Sequence, residues 1–215
     1  MAYRNEKEKY YVNLWDKQSF VKQVEQRIVY ITLVFTYPLL CKHSHKNGSG
    51  MRCSAAGFLA KTKDECIELA TKTALPTHDH PEGIKGAVAT ALAIFYAMQG
   101  EDKDFIRRNV LDEYYPEWKD KTYAGIKPGY YFDETCQMTI PAALICFLES
   151  KDYVDCITLA ISLGGDADTL AAIAGPMAYA YYKYMPQELI DNAKAKLPQW
   201  MLELNDELDE IVAVC

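Results

Sequence analysis

An alanine-rich stretch towards the C-terminal end of the sequence is the feature that most restricts how this chain can fold. Small side chains on most faces of a helix let neighbouring helices approach closely, so this stretch predicts a central helix at residues 167–184. Pro176 lies within it and is expected to kink the helix axis, because proline removes one backbone hydrogen bond. The small residues are Ala171, Ala172, Ala174, Gly175 and Ala178.

Helical patterning continues through most of the remaining sequence. Residues 64–75 are amphipathic at helical spacing, and the alanine-rich residues 82–99 are followed by Gly100, a residue type that commonly ends helices. Another helix is predicted to begin with Thr139 as its cap and Pro141 in its first turn. The sequence therefore predicts an all-α fold. Further helices are predicted at residues 103–115, 153–163, 187–196 and 199–212, and residues 28–35 alone have some strand character.

Length and composition limit the classes of protein to which the chain can belong. Its 215 residues, half of them hydrophobic, suffice for one sizeable core. A net charge of −7 argues against nucleic acid as a partner. The seven cysteines are odd in number, form no CxxC pair and lie mostly among helix-forming residues, which favours reduced, buried thiols and a cytoplasmic location. The longest apolar run, residues 28–40, is too short to cross a bilayer, so no membrane association is expected.

A short acidic segment directly before the alanine-rich stretch is a candidate metal site. Gly164 and Gly165 predict a tight bend, and Asp166, Asp168 and Thr169 follow at the start of the helix. Two carboxylates so close together repel each other unless a cation or the helix N-terminus offsets their charge. Oxygen ligands of this kind suit Mg²⁺ or Ca²⁺ better than zinc. The alternative is that Asp166 is only a helix cap and that Asp168 complements the helix dipole.

Two other segments are candidates for ligand binding. The run Asn47-Gly-Ser-Gly-Met-Arg52 predicts a glycine-rich turn whose backbone N–H groups, together with Arg52, can receive phosphate. A plain turn is the alternative interpretation. His80 precedes a proline at the predicted entrance of the helix at residues 82–99. A zinc site is a further hypothesis, because the sequence contains the pairs His43-Ser-His45 and His78-Asp-His80.

Taken in order, these segments resemble the ADP-ribosylglycohydrolase family, and the likeness extends over about residues 44–207. The family is all-α, an orthogonal multi-helix bundle. It cleaves the glycosidic bond between ADP-ribose and a modified side chain or small molecule, using a binuclear Mg²⁺ centre. The segments that carry the resemblance are Asn47-Gly-Ser-Gly-Met-Arg52, His78-Asp-His-Pro-Glu-Gly-Ile-Lys-Gly-Ala87, Cys136-Gln with Pro141, Phe147-Leu-Glu-Ser150 and Ile161-Ser-Leu-Gly-Gly-Asp-Ala-Asp-Thr-Leu-Ala-Ala-Ile-Ala-Gly175.

The resemblance also implies roles for individual residues. It makes the oxygen donors of the acidic segment Mg²⁺ ligands and His80 the histidine near the phosphates. It implies ADP-ribose or an ADP-ribosylated protein as the partner, and it identifies no catalytic residue. The implied metal ligands are Asp166, Asp168 and Thr169, and the implied substrate-binding residues are Ser44, Asn47, Gly48, Ser49 and His80.

The N-terminal part of the sequence departs from the family pattern. A Gly-Asp segment and a Thr-Asp-Asp-Thr motif, which supply the family's other metal ligands, are not found. We therefore expect an N-terminally truncated domain at residues 44–215 after a divergent segment at residues 1–43. The run Asp133-Glu134-Thr135 echoes the missing motif, but at a different place in the chain.

Three hypotheses follow from these observations. The chain is a hydrolase whose metal centre another segment or a partner chain completes, or it is a catalytically impaired or inactive relative that binds ADP-ribose or only retains the fold. The zinc site is the third, unrelated hypothesis. Apolar surface left uncovered by a missing segment would favour a homo-oligomer.

Overall fold

The computed structural model describes residues 43–214, with residues 205 and 208–214 described by their backbone alone. Within this part of the chain every extended element is a helix or a helical turn, and an isolated antiparallel bridge joins Lys46 to Thr135. The predicted all-α class is confirmed. The strand character of residues 28–35 and the cysteines Cys41 and Cys215 lie outside the described residues.

The first helices follow the glycine-rich turn, a 3₁₀ turn at Asn47–Arg52. They are α1 (Ser54–Leu59), α2 (Lys63–Ala74) and α3 (Pro81–Gln99). Helix α3 is predominantly alanine and larger apolar residues, and it is buried along almost its whole length. Because its side chains are small, α1, α2 and the glycine-rich turn all pack directly against it.

The middle of the chain is made of shorter helical pieces. The helix predicted at residues 103–115 contains a π-helical turn at Arg107–Leu111, between α4 (Lys103–Ile106) and α5 (Asp112–Tyr114). Further turns follow at Pro116–Trp118, Tyr123–Ile126 (α6) and Lys127–Gly129.

The C-terminal half supplies the second layer of the bundle. Helix α7 (Cys136–Glu149) begins earlier than predicted, since Thr135 rather than Thr139 precedes its first residue, and Pro141 therefore lies inside the helix. The remaining helices are α8 (Tyr153–Leu163), α9 (Ala167–Tyr182), α10 (Gln187–Lys194) and α11 (Gln199–Val214).

Helix α9 is central, as the small side chains predicted. It packs against α3, α7 and α8, and it also contacts the glycine-rich turn. It continues through Pro176 as far as Tyr182. Among the described residues, no helix is long and apolar enough to cross a membrane. The described cysteines are free and buried: Cys53, Cys66, Cys136, Cys146 and Cys156.

Candidate functional site

The two glycines before α9 form a tight bend with no space for side chains at its second position. Both have positive φ, 86° at Gly164 and 64° at Gly165. A Cβ on Gly165 would lie 2.8 Å from the carbonyl oxygen of Tyr131 and 3.0 Å from the ring of Tyr130. The bend is therefore packed against the loop before α7, and this contact places the following aspartate beside that loop.

Asp166 occupies the cap position of α9, but its carboxylate does not cap the helix. No backbone N–H of the first turn donates to it. Instead Oδ2 of Asp166 accepts a hydrogen bond of 2.7 Å from Nδ2 of Asn47. The interpretation of Asp166 as a simple helix cap is therefore wrong, since a capping side chain would accept from the N–H two or three residues later.

The other two oxygen donors lie in the first turn of α9. Asp168 is exposed, whereas Thr169 is buried and its hydroxyl is 3.8 Å from the sulfur of Met51. Asp166, Asp168 and Thr169 thus come from one helix start, and the glycine-rich turn lies against it. Their role as metal ligands stays a prediction.

Asn47 connects this helix start to α7. Its side chain is buried, and its amide donates to Oγ1 of Thr139 at 3.1 Å as well as to Asp166. The hydroxyl of Thr139 in turn donates to the carbonyl oxygen of Asp133 at 3.1 Å. The backbone N–H of Asn47 donates to the carbonyl oxygen of Glu134 at 2.7 Å. The loop that echoed the missing family motif therefore lies beside the glycine-rich turn.

The remaining residues of the glycine-rich turn are held by α2 and α3. The buried hydroxyl of Ser49 donates to the carbonyl oxygen of Gly83 at 2.7 Å. Arg52 is directed to the end of α2, where Nε donates to the carbonyl oxygen of Thr73 at 3.2 Å and the guanidinium also contacts Thr77. Arg52 thus fixes the turn, and its contacts with protein oxygens do not support the predicted role in phosphate binding.

His78, which the sequence analysis considered only as a zinc ligand, is the histidine that lies over the glycine-rich turn. Its Nε2 is 3.1 Å from where a Cβ on Gly48 would be. Its Nδ1 is 2.6 Å from the hydroxyl of Thr77. Burial, with the nearby positive charge of Arg52, lowers the pKa of His78 to about 4. His78 is therefore neutral at pH 7.

His80 instead begins α3 as its cap residue. Its Nδ1 accepts a hydrogen bond of 3.1 Å from the backbone N–H of Glu82, so this ring nitrogen is already engaged. The ring lies 5.5 Å from that of His45. Pro81 at the first helical position is the sequence signal that marks His80 as the cap. Ser44 lies nearby, half-buried, and its hydroxyl accepts from the N–H of Lys46 at 3.3 Å.

The histidine pairs do not assemble a zinc site in the described structure. His43 contacts Asp79, with Nδ1 3.6 Å from the carboxylate, while His45 faces His80. Over residues 43–214, no three side chains of histidine, cysteine, aspartate or glutamate come together in a way that would hold a metal ion. The zinc hypothesis thus receives no support from the part of the chain that the structure describes.

A buried tyrosine lies beside the bend. The hydroxyl of Tyr130 is buried without a hydrogen-bond partner, and the edge of its ring packs against Gly165. Burial raises the pKa of Tyr130, and the neighbouring groups Cys146, Asp133 and Asp166 raise it further. Sequence patterning gave no reason to select this residue, because only the fold brings it to the bend.

The sequence profile of the ADP-ribosylglycohydrolase family matches residues 12–214. The chain belongs to this family. The resemblance noted in the sequence is therefore confirmed. The matched range starts before the described part of the structure, and the expected boundary between residues 43 and 44 stays a prediction.

Individual relatives agree with this assignment. Human ADP-ribosylhydrolase ARH3 is 26% identical, with 66% of this chain and 51% of the relative covered. The ADP-ribosylarginine hydrolase Tri1 of Pseudomonas putida is 29% identical, with 64% of this chain and 40% of the relative covered. The chain thus spans about half the length of these curated relatives, or less.

A solved structure shows the same fold. It is described as an ADP-ribosylglycohydrolase-related protein complex, and it superimposes with a TM-score of 0.61 over 91% of this chain and 70% of the other. At 20% sequence identity, the likeness establishes the shared fold alone.

Proposed function

We propose that this chain is a hydrolase that cleaves the glycosidic bond joining ADP-ribose to a protein side chain or a small molecule. The observation that carries the proposal is the carboxylate of Asp166, which lies at the start of α9 without capping it. A carboxylate withheld from its helix is available to a ligand. Membership of the family and the names of the relatives support the choice of ADP-ribose as that ligand.

The residues at the start of α9 fit a magnesium ion by their chemistry. Asp166, Asp168 and Thr169 offer oxygen donors only, which Mg²⁺ prefers. When bound, the ion would supply a fixed positive charge that orients the ribose hydroxyls and polarises a water molecule. Glycosidic cleavage passes through a positively charged, oxocarbenium-like state at the anomeric carbon, which a water molecule attacks.

The glycine-rich turn is the proposed site for the diphosphate. Gly48 has no side chain, and the ring of His78 lies where one would project. The neutral ring of His78 can donate or accept a hydrogen bond there without adding a charge. Ser44 and His80 are the further residues predicted to contact the substrate. The buried Ser49 would act by holding the turn against Gly83.

A binuclear centre needs more carboxylates than residues 43–214 bring together. We propose that the additional ligands come from another segment or from a partner chain, including a second copy of this chain. The same observation favours a second candidate function: a relative that binds ADP-ribose without cleaving it. We propose a cytoplasmic location for either function, because the described cysteines are free thiols, as expected in a reducing compartment.

A hydrolysis assay with a matched pair of variants tests the proposal. ADP-ribose release from a panel of ADP-ribosylated side chains, arginine included, is measured as Mg²⁺ is added. Asp168→Asn should abolish release. Asp64→Asn should not, although Asp64 is an exposed carboxylate at the same helical position of α2.

The outcomes separate the candidates. Mg²⁺-dependent release that Asp168→Asn abolishes supports the hydrolase. ADP-ribose binding without release supports the binder. Neither binding nor release, in a protein that unfolds cooperatively, contradicts both.

A further inference from the structure

The side chain of Asn47 lies where three elements of the fold meet. It belongs to the glycine-rich turn, and it donates to Thr139 of α7 and to Asp166 at the start of α9. Its residue is only 6% exposed. Buried polar groups are normally hydrogen-bonded, and the amide of Asn47 donates to these two side chains of the protein.

We propose that Asn47 is a positioning residue that orients the carboxylate of Asp166 for a divalent cation. Its amide occupies one carboxylate oxygen, Oδ2, and leaves the other oxygen for the ion. This inference rests on the proposed function, because it assumes that Asp166 is a cation ligand. It assigns to Asn47 an action through Asp166 that differs from the direct contact with ADP-ribose that the family resemblance implies.

The reason is a competition for the carboxylate of Asp166. An aspartate in a cap position ordinarily turns towards the N–H groups of its own helix, where the helix dipole favours negative charge. At 2.7 Å, the contact with Asn47 is a charge-assisted hydrogen bond, which is stronger than a neutral one. Asn47 therefore keeps the carboxylate away from the helix. Without that donor, the carboxylate loses the hydrogen bond that fixes its orientation.

Thr139 provides a matched control. Its hydroxyl accepts from the same amide at 3.1 Å and donates to the carbonyl oxygen of Asp133. Thr139→Val removes this neutral contact and keeps the shape of the side chain. The charged contact between Asn47 and Asp166 survives the change, so cation affinity should fall much less than when the amide itself is removed.

The first measurement is the affinity for Mn²⁺, which stands in for Mg²⁺. Electron paramagnetic resonance measures its binding. Asn47→Leu, similar in size and without donors, should weaken Mn²⁺ binding by roughly 10- to 100-fold, the effect typical of losing a partner of a metal ligand. Thr139→Val should have a smaller effect. Circular dichroism confirms that both variants fold. Equal Mn²⁺ affinity in Asn47→Leu and the unaltered protein would overturn the proposal.

A second measurement needs no metal and no change at Asn47. In isotope-labelled protein, the side-chain amide signals of Asn47 should shift and exchange faster with solvent in Asp166→Ala. Unchanged signals would overturn the proposal. If the unaltered protein binds no Mn²⁺, the metal part of the proposed function fails, and this experiment alone decides whether Asn47 holds Asp166.

Discussion

Helices α8 and α9 follow each other in the chain, and each begins after an aspartate, but the two carboxylates have different partners. Asp152 accepts a hydrogen bond of 2.8 Å from the backbone N–H of Asp155, so it caps α8 in the usual way. Asp166 makes no such bond with α9 and is bound to Asn47 instead. One aspartate stabilises its own helix, whereas the other is bound to a different element of the fold.

The backbone explains the difference. Asp152 has the extended conformation that places a cap side chain over the first turn of its helix. Asp166 follows two glycines of positive φ, and its own ψ of 62° lies outside the extended region. The bend thus turns the carboxylate away from α9 and towards the glycine-rich turn. The comparison shows that a cap position does not identify a cap, because the residues before it decide where the side chain points.

The largest effect that the comparison predicts concerns Asp166. In Asp166→Asn the side chain can still accept from Asn47, but a neutral hydrogen bond replaces a charge-assisted one, so the free energy of unfolding should fall by only about 1 kcal/mol. The loss of the charge should lower Mg²⁺ affinity and ADP-ribose release by about 100-fold or more, at least as much as losing a partner of a metal ligand. Denaturant unfolding and the hydrolysis assay test both parts. Loss of stability with activity retained would make Asp166 a structural residue like Asp152.

Gly165 tests the bend that separates the two aspartates. Gly165→Ala introduces a strained positive φ, which costs about 1–2 kcal/mol, and a clash with Tyr131 that adds about 1–3 kcal/mol of overpacking. Gly100 has a positive φ but open space around it, so Gly100→Ala should lose the strain energy alone. Denaturant unfolding measures both free energies. Equal losses would mean that the contact with Tyr131 does not hold the bend.

The converse variant is Asp152→Ala. It removes the capping bond of α8 and should lower the free energy of unfolding by about 0.5–2 kcal/mol. Affinity for ADP-ribose should stay unchanged, because Asp152 lies at a different helix start. Thermal unfolding and calorimetry provide the two values. If Asp152→Ala lost more ADP-ribose affinity than its lower stability explains, the distinction between the two aspartates would be wrong.

The smallest predicted effect concerns His78, the histidine that lies over Gly48. The pKa of His78 is lowered to about 4 in the folded protein, mainly by burial and secondarily by Arg52, against about 6.5 when unfolded. The unfolded chain therefore binds a proton more readily between these values. The stability that neutral His78 contributes is present above pH 6.5 and is lost as the pH falls towards 4.

Comparing the unaltered protein with His78→Gln isolates this contribution from the carboxylates that also titrate. The loss of stability between pH 6.5 and 4 should be smaller in the variant, as measured by denaturant unfolding at each pH. Identical pH profiles would mean that His78 is not buried in its neutral form.

The helices could be predicted because local patterns determine them. Small and apolar residues recur at helical spacing in α3 and α9, and the fold places both where that spacing indicated. The start of α7 was missed, because Pro141 suggested a first-turn proline. Contacts with residues 45–47 hold the preceding loop instead, and the helix begins at Cys136.

The residues of the candidate site could be predicted in part, but their partners could not. The acidic segment and the glycine-rich turn were recognisable from their sequence, yet their connection joins Asn47 to a residue 119 positions away. Local sequence patterns cannot show that two residues so far apart in the chain are in contact. His78 and His80 illustrate the same limit at close range, because only the folded turn shows which ring lies over Gly48.

The proposed function depends on a cation that is held at the start of α9 and used in binding ADP-ribose. Titrating ADP-ribose into the purified protein by calorimetry, with and without Mg²⁺, tests it most directly when Asp166→Asn and Asp152→Ala are titrated alongside. We predict that the unaltered protein binds ADP-ribose and that Mg²⁺ strengthens the binding. Asp152→Ala should behave in the same way, whereas in Asp166→Asn the binding should no longer depend on Mg²⁺. No binding under either condition, or equal behaviour of the two variants, would contradict the account.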